Sequence, residues 1–126
     1  MPQRGFLVMM AVLALIAAVL AGKAGAHAKL VRADPAPDSM VAVAPKVVKV
    51  WFSEELRPKA STLEVVDSRG VRVDDRKGRV DLDDLDRMTL IGGLKAMGRG
   101  KYTVRWTAVS ADDRDMAKGT FSFTVR

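Results

Sequence analysis

Residues 101–109 read Lys-Tyr-Thr-Val-Arg-Trp-Thr-Ala-Val, and residues 119–126 read Gly-Thr-Phe-Ser-Phe-Thr-Val-Arg. Tyr102, Val104, Trp106 and Ala108 alternate with Thr103, Arg105 and Thr107. Phe121, Phe123 and Val125 alternate with Thr120, Ser122 and Thr124. A two-residue period puts each set on its own side of a pleated strand, so both segments lie with one face on a core and the other in water. Such strands need further strands beside and across from them. The pattern predicts that Trp106 and Phe121 are buried, with Trp106 or Trp51 filling the centre of the fold. The polar stretch 110–118 between the two strands reads as a loop.

The rest of the chain supplies matching pieces. Residues 47–52 are β-branched and aromatic. Residues 63–66 and 71–73 flank Asp67-Ser68-Arg69-Gly70, a hairpin turn. A short strand at 88–91 precedes Gly92-Gly93, and 29–33 is the first strand. Pro35, Pro37 and Pro45 mark a long loop after it. No stretch after residue 26 carries a helical period. About seven short strands in a domain of this length argue an all-β, antiparallel sandwich. The chain has no cysteine, so no disulfide braces it and the fold rests on its hydrophobic core.

Residues 1–26 have the parts of a secretory signal: Arg4 at the start, an apolar run from Phe6 to Ala21, and Ala24-Gly25-Ala26 before the cut. The run is short for a bilayer span, which takes about 20 residues. A retained N-terminal anchor is the competing reading, and Lys23 is compatible with it. Cleavage after Ala26 leaves 27–126 as one domain. Arg4 and Lys23 leave with the signal, so the net charge falls from +6 to +4. That charge is spread along the chain and forms no basic stripe of the kind that binds nucleic acid.

Cleavage also makes His27, the only histidine, the first residue of the mature chain. A free α-amine and the imidazole Nδ1 of one residue can close a chelate ring on a metal, and both nitrogens give up their protons to a metal near neutral pH. Nitrogen donors of this kind suit Cu(II) above the other common divalent ions.

The segments His27-Ala28-Lys29-Leu30, Asp34-Pro35-Ala36-Pro37-Asp38-Ser39, Ala44-Pro45, Trp51-Phe52-Ser53-Glu54, 100–106, Val109-Ser110-Ala111-Asp112 and 119–125 stand in this order and spacing. Together they make the mature chain resemble the CopC copper-resistance proteins of the bacterial periplasm, YobA-like members included. The resemblance implies an immunoglobulin-like Greek-key β-sandwich or barrel that binds copper and has no catalytic role. It implies a periplasmic location and an inner-membrane copper transporter of the CopD type as partner.

In that family Cu(II) is held by the terminal amine, the first histidine, and an aspartate and second histidine of a Ser-x-Asp-x-His loop. The loop here is Ser110-Ala111-Asp112-Asp113-Arg114-Asp115. The resemblance therefore assigns His27 and Asp112 as metal ligands. Arg114 stands where the second histidine belongs, and a guanidinium stays protonated and offers no lone pair. The expected Cu(II) site is accordingly weak, with Asp113 and Asp115 as the oxygen donors available in its place. Glu54 matches a carboxylate that lies near the family's site. A family member that has lost its metal and serves as a binding or structural module is the alternative, and Arg114 favours it.

Other constellations carry less. Met40, Met88, Met97 and Met116 are scattered and read as core filler rather than a thioether site for Cu(I). Asp81-Leu82-Asp83-Asp84-Leu85-Asp86 fails the calcium-loop pattern, having Asp86 where glycine is needed, and reads as a solvated acidic loop. Residues 74–79 mix charge signs and read as an exposed loop tip. With one histidine and no cysteine, nucleophilic catalysis has almost nothing to work with.

Overall fold

The computed structural model describes residues 27–126. The expected signal segment, 1–26, lies outside the described residues. Eight strands follow: β1 (Leu30–Asp34), β2 (Met40–Val41), β3 (Val47–Phe52), β4 (Thr62–Val66), β5 (Arg79–Val80), β6 (Thr89–Gly93), β7 (Gly100–Val109) and β8 (Met116–Val125). They form two four-stranded sheets, ordered β1-β3-β6-β5 and β2-β8-β7-β4. All pairs are antiparallel except β2 with β8. Chain neighbours β3 and β4, and again β6 and β7, fall in different sheets, so the chain winds between the layers of an all-β sandwich.

Alternation decides what lies between the sheets. Val48, Val50 and Phe52 of β3 face Leu63 and Val65 of β4, Tyr102 and Val104 of β7, and Phe123 and Val125 of β8, and all are buried. Each such side chain taken fully out of water contributes about 1.5–3 kcal/mol. Phe123 packs parallel to Tyr102 with ring centroids 5.7 Å apart. With its two neighbours turned inward, Trp51 must point outward. There it lies half-buried beneath the Arg32 guanidinium, 3.9 Å from the ring centre. Phe52 and Phe123 fill the centre that Trp106 or Trp51 was expected to occupy.

Trp106 and Phe121 do face inward, but the structure only half-buries both. Trp106 meets the edge of Phe52 at 5.0 Å and spreads across Gly119, its partner on β8. A Cβ at residue 119 would overlap the indole, so this position needs glycine. The ring thereby reaches toward the flank of the sandwich along β8, where β2 pairs only with Thr124 and Val125.

Three further expectations change. β8 begins at Met116, because Met116, Ala117 and Lys118 pair with Val109, Ala108 and Thr107; only 110–115 is left to turn the chain. Met116 and Lys118 are exposed, so this end of the strand carries no apolar alternation to detect. β2 and β5, two residues each, carried no periodicity to detect. The segment 71–73 is no strand of its own, but Arg72 bridges Val66 and the Val73 N–H donates to the Val65 carbonyl, closing the expected turn. Asp67 Oδ1 accepts the N–H groups of Arg69 at 2.9 Å and Val71 at 3.0 Å, and Gly70 takes a φ of 82°.

Asp74 overturns the reading of 74–79 as an exposed tip. Its carboxylate is fully buried. It takes a forked pair from Arg72 at 3.0 and 2.7 Å, plus the N–H groups of Val65 at 3.1 Å and Arg76 at 3.0 Å. Burial pushes its carboxyl up, yet the Arg72 fork and the two backbone donors outweigh that and hold it below the usual carboxylate range. Asp75, Arg76, Lys77 and Arg79 remain exposed.

Candidate metal centre

His27 enters the sandwich just ahead of β1. Ala28 behind it is 3% exposed and anchors the segment in the core. Lys29 then pairs with Ser53, its N–H donating to Ser53 Oγ at 2.9 Å and its carbonyl accepting the Ser53 N–H at 2.8 Å. His27 is held at the end of the sandwich where β3 leaves its sheet.

The β7–β8 turn reaches the same end. Ala111 N–H donates to the Glu55 carbonyl at 3.0 Å, and Leu56 bridges Ser110. The Arg57 guanidinium reaches the Ala111 carbonyl at 3.4 Å. Inside the turn, Ser110 is buried; its N–H donates to the Asp115 carbonyl at 2.9 Å, and its own carbonyl accepts the Arg114 N–H at 3.1 Å. Arg114 sits at a φ of 60°, the left-handed region. That bend turns the chain back so that Asp115 Oδ2 lies 3.6 Å from His27 Nδ1, with both side chains about half exposed.

The carboxylates of the turn have different employments. Asp113 Oδ1 accepts the Asp115 N–H at 3.0 Å. That backbone donor, against some loss of solvent and helped by the Ser110 hydroxyl, holds the Asp113 carboxyl below its ordinary value. Asp113 is therefore committed to the shape of the turn. Asp112 is exposed and makes no side-chain hydrogen bond or ion pair among the described residues. The carboxylate that approaches His27 is that of Asp115.

Glu54, half-buried, follows the Ser53 that pairs with Lys29. Its Oε1 is shielded from solvent without a hydrogen-bond partner among the described residues, as is Arg57 Nε. A buried carboxylate oxygen without a donor is costly, and a cation or a bound water relieves it. No group of three or more His, Cys, Asp or Glu side chains suited to a metal is gathered among the described residues. The side-chain donors that the structure brings together at this end are an imidazole, His27, and a facing carboxylate, Asp115. Nothing in the sequence signalled that Arg57 ties down Ala111, since that contact joins residues far apart in the chain.

The acidic loop before β6 is built differently. Asp84 takes the Met88 N–H and the Thr89 hydroxyl, each at 2.9 Å, and the Asp86 N–H at 3.1 Å. Asp81 takes the Asp83 N–H at 3.0 Å and faces Lys49 at 3.7 Å. These carboxylates serve the loop itself.

A two-sheet sandwich whose open end presents the His27 imidazole beside a carboxylate turn defines a small all-β domain. Residues 30–126 match the CopC domain model, and the chain belongs to that family. Among solved structures it is similar to CopC from Methylosinus trichosporium OB3b, with 27% identity, a TM-score of 0.67, and coverage of 79% of this chain and 93% of that one. It is equally similar to PcoC, a methionine-rich copper resistance protein from Escherichia coli, with 29% identity, a TM-score of 0.67, and coverage of 80% of this chain and all of that one. Over 100 residues it is 31% identical to the copper transport protein CutJ of Bacillus subtilis (strain 168). That match covers 79% of this chain and spans only 18% of CutJ.

Proposed function

We propose that this protein binds one Cu(II) ion at a mature N-terminus beginning with His27, as an exported, periplasmic copper-handling domain. The observation that carries the reading is His27 Nδ1 standing 3.6 Å from Asp115 Oδ2. Nitrogen and carboxylate donors lie about 2.0–2.2 Å from a bound transition ion, so two donors on one ion are at most about 4 Å apart. A separation of 3.6 Å is too long for a hydrogen bond and short enough to share a metal. The orphaned Glu54 oxygen adds negative potential at that end. Asp112, the residue that aligns with the family's aspartate, is the second carboxylate of the site. Relatives named for copper resistance and copper transport support copper as the cargo and binding rather than catalysis as the task. A membrane copper transporter of the CopD type is the partner this reading names.

Arg114 and the two-member side-chain set favour a second reading, a domain that keeps the fold without the metal. One titration separates them. Mature protein is titrated with Cu(II) against a competing chelator and followed by electron paramagnetic resonance. The copper reading expects one bound ion with a nitrogen-containing signal, lost when a single residue is added ahead of His27, because the extra residue removes the free amine from the chelate. Native protein that takes no Cu(II), beside an Arg114→His variant that does, makes the metal-free domain the better account.

A further inference from the structure

We infer that the open edge of β8 is a docking site for an extended segment of a partner protein, one that alternates apolar and acidic side chains and adds as a strand. Ser122 turns its carbonyl toward the β2 side, accepting the Asp38 N–H at 2.7 Å, and Thr124 donates to the Ser39 carbonyl at 2.9 Å. Strand alternation turns the backbone groups of Lys118 and Thr120 the same way. No described residue pairs with them there, since the ladder with β2 covers only Thr124 and Val125. The opposite edge of this sheet is closed: Val65 donates to Asp74 and accepts from Val73. In this sheet, among the described residues, the β8 edge over residues 116–121 leaves the outward-turned amides and carbonyls of alternate residues unpaired over the length of an ordinary strand.

Both faces of that edge say what would fit. On the inner side lie Trp106 and Phe121, the two inward aromatics that the sandwich leaves half-buried. A strand added to β8 would cover their open flank with its own inward side chains, which calls for apolar residues there. On the outer side Lys118 is exposed, and Arg105 stands opposite Thr120 in the ladder. Among the described residues Arg105 pairs only with Glu64, at 3.4 Å, and is itself more than half exposed. Acidic residues at the alternate positions would meet Lys118 directly across the new pair, the cross-strand pairing that stabilises neighbouring strands, with the Arg105 charge one strand further in adding to the attraction. A second copy of this chain pairing through the same edge would bring a second Lys118 and Arg105 to that face, so like charge disfavours self-pairing. Strand addition is an established way for one protein to hold another's extended segment.

The probe is a synthetic peptide of about eight alternating Glu and Val residues, titrated into the exported protein and followed by amide NMR. The expected result is saturable shifts and slowed exchange at the Lys118 and Thr120 amides, with a Lys–Val peptide weaker by several-fold. Thr120→Pro removes an N–H that pairs with nothing in the fold, so the variant keeps its native spectrum elsewhere and loses the peptide response. Lys118→Glu weakens the Glu–Val peptide several-fold while leaving the fold intact. Absence of shifts at these amides, or a response unchanged in Thr120→Pro, overturns the proposal. So do concentration-dependent shifts at the same amides without peptide, which assign the edge to a second copy.

Discussion

The tripeptide Asp-Asp-Arg occurs twice, at 74–76 and at 112–114, and the two copies have nearly the same backbone and opposite fates. In each the arginine takes a left-handed φ, 64° at Arg76 and 60° at Arg114. In each the second aspartate accepts the N–H two residues on: Asp75 from Lys77 at 2.9 Å and Asp113 from Asp115 at 3.0 Å. Yet Asp74 is fully buried in a fork from Arg72, while Asp112 is exposed with no partner among the described residues. The local turn is a property of the letters. What the first carboxylate does is a property of its neighbours in space. β4 closes over Asp74 and supplies the Val65 donor, whereas the β7–β8 turn projects from the end of the sandwich beside His27. One copy locks the fold, and the other stays available to a ligand.

The largest expected effect tests the locked copy. Asp74→Ala leaves the Arg72 guanidinium without its fork and two backbone N–H groups without an acceptor. Removing one member of a buried pair costs about 3–5 kcal/mol, and the lower end applies because Arg72 is partly open to solvent. Asp112→Ala, in the same tripeptide, leaves the urea midpoint where it was. Equal midpoints for the two variants would erase the distinction between the copies.

Acid offers the next test. The Asp74 carboxyl titrates lower in the folded chain than in the unfolded one. Its contribution to stability is therefore complete above the ordinary aspartate value of about 3.9 and is lost as pH falls through the depressed folded value. Asp84 acts in the same direction, held low first by the Met88 N–H. Urea midpoints measured from neutral pH downward should fall below about pH 4, and Asp74→Asn should flatten that fall. A variant with the unaltered acid profile would place the acid sensitivity elsewhere.

The same contrast marks what could be read in the chain before its structure. The paired strands β7 and β8 and the turn at 67–70 were plain, because alternation and turn chemistry are local signals. The CopC-type sandwich followed from seven separated segments whose order no single one reveals. Asp74 was invisible, since an aspartate in a run of mixed charges looks the same whether β4 covers it or not. Trp51 and Trp106 were both placed too deep, for different reasons. Trp51 is turned out by the inward alternation of Val48, Val50 and Phe52, and Trp106 faces inward yet lies only half-buried across Gly119. At the metal end the sequence named His27 and Asp112, and it named Asp115 only as one of two substitute oxygens. Which carboxylate meets the imidazole depends on the left-handed bend at Arg114, which no periodicity encodes.

Arg114→His should strengthen Cu(II) binding by about tenfold or more, on the scale of losses seen when groups supporting a metal site are removed. The change adds a neutral nitrogen donor and removes a positive charge. Histidine also tolerates the left-handed backbone better than most residues, so the turn should persist. Arg76→His, at the matching place in the other copy, should leave copper binding unchanged. Equal gains from both variants would mean that any added surface imidazole recruits copper and that the turn is no site.

The smallest expected difference asks which carboxylate completes the open copy. Asp112→Ala and Asp115→Ala should each weaken Cu(II) binding, with the larger loss, several-fold and up to about tenfold, at Asp115. The argument is geometric. Asp115 already faces His27 at 3.6 Å, so binding a metal there asks for little movement. Asp112 must swing in from solvent, and the ordering of a free side chain costs about 0.5–1.5 kcal/mol. Asp113→Ala weakens binding too, but by another route, since its carboxylate holds the Asp115 N–H and with it the direction of the turn. A competition titration of the three variants therefore distinguishes ligand from positioning residue. Only the ligand variants should alter the oxygen contribution in the copper resonance, while Asp113→Ala lowers affinity and leaves that signature alone. A larger loss at Asp112 than at Asp115 would show that copper pulls the turn into the family's ligand arrangement.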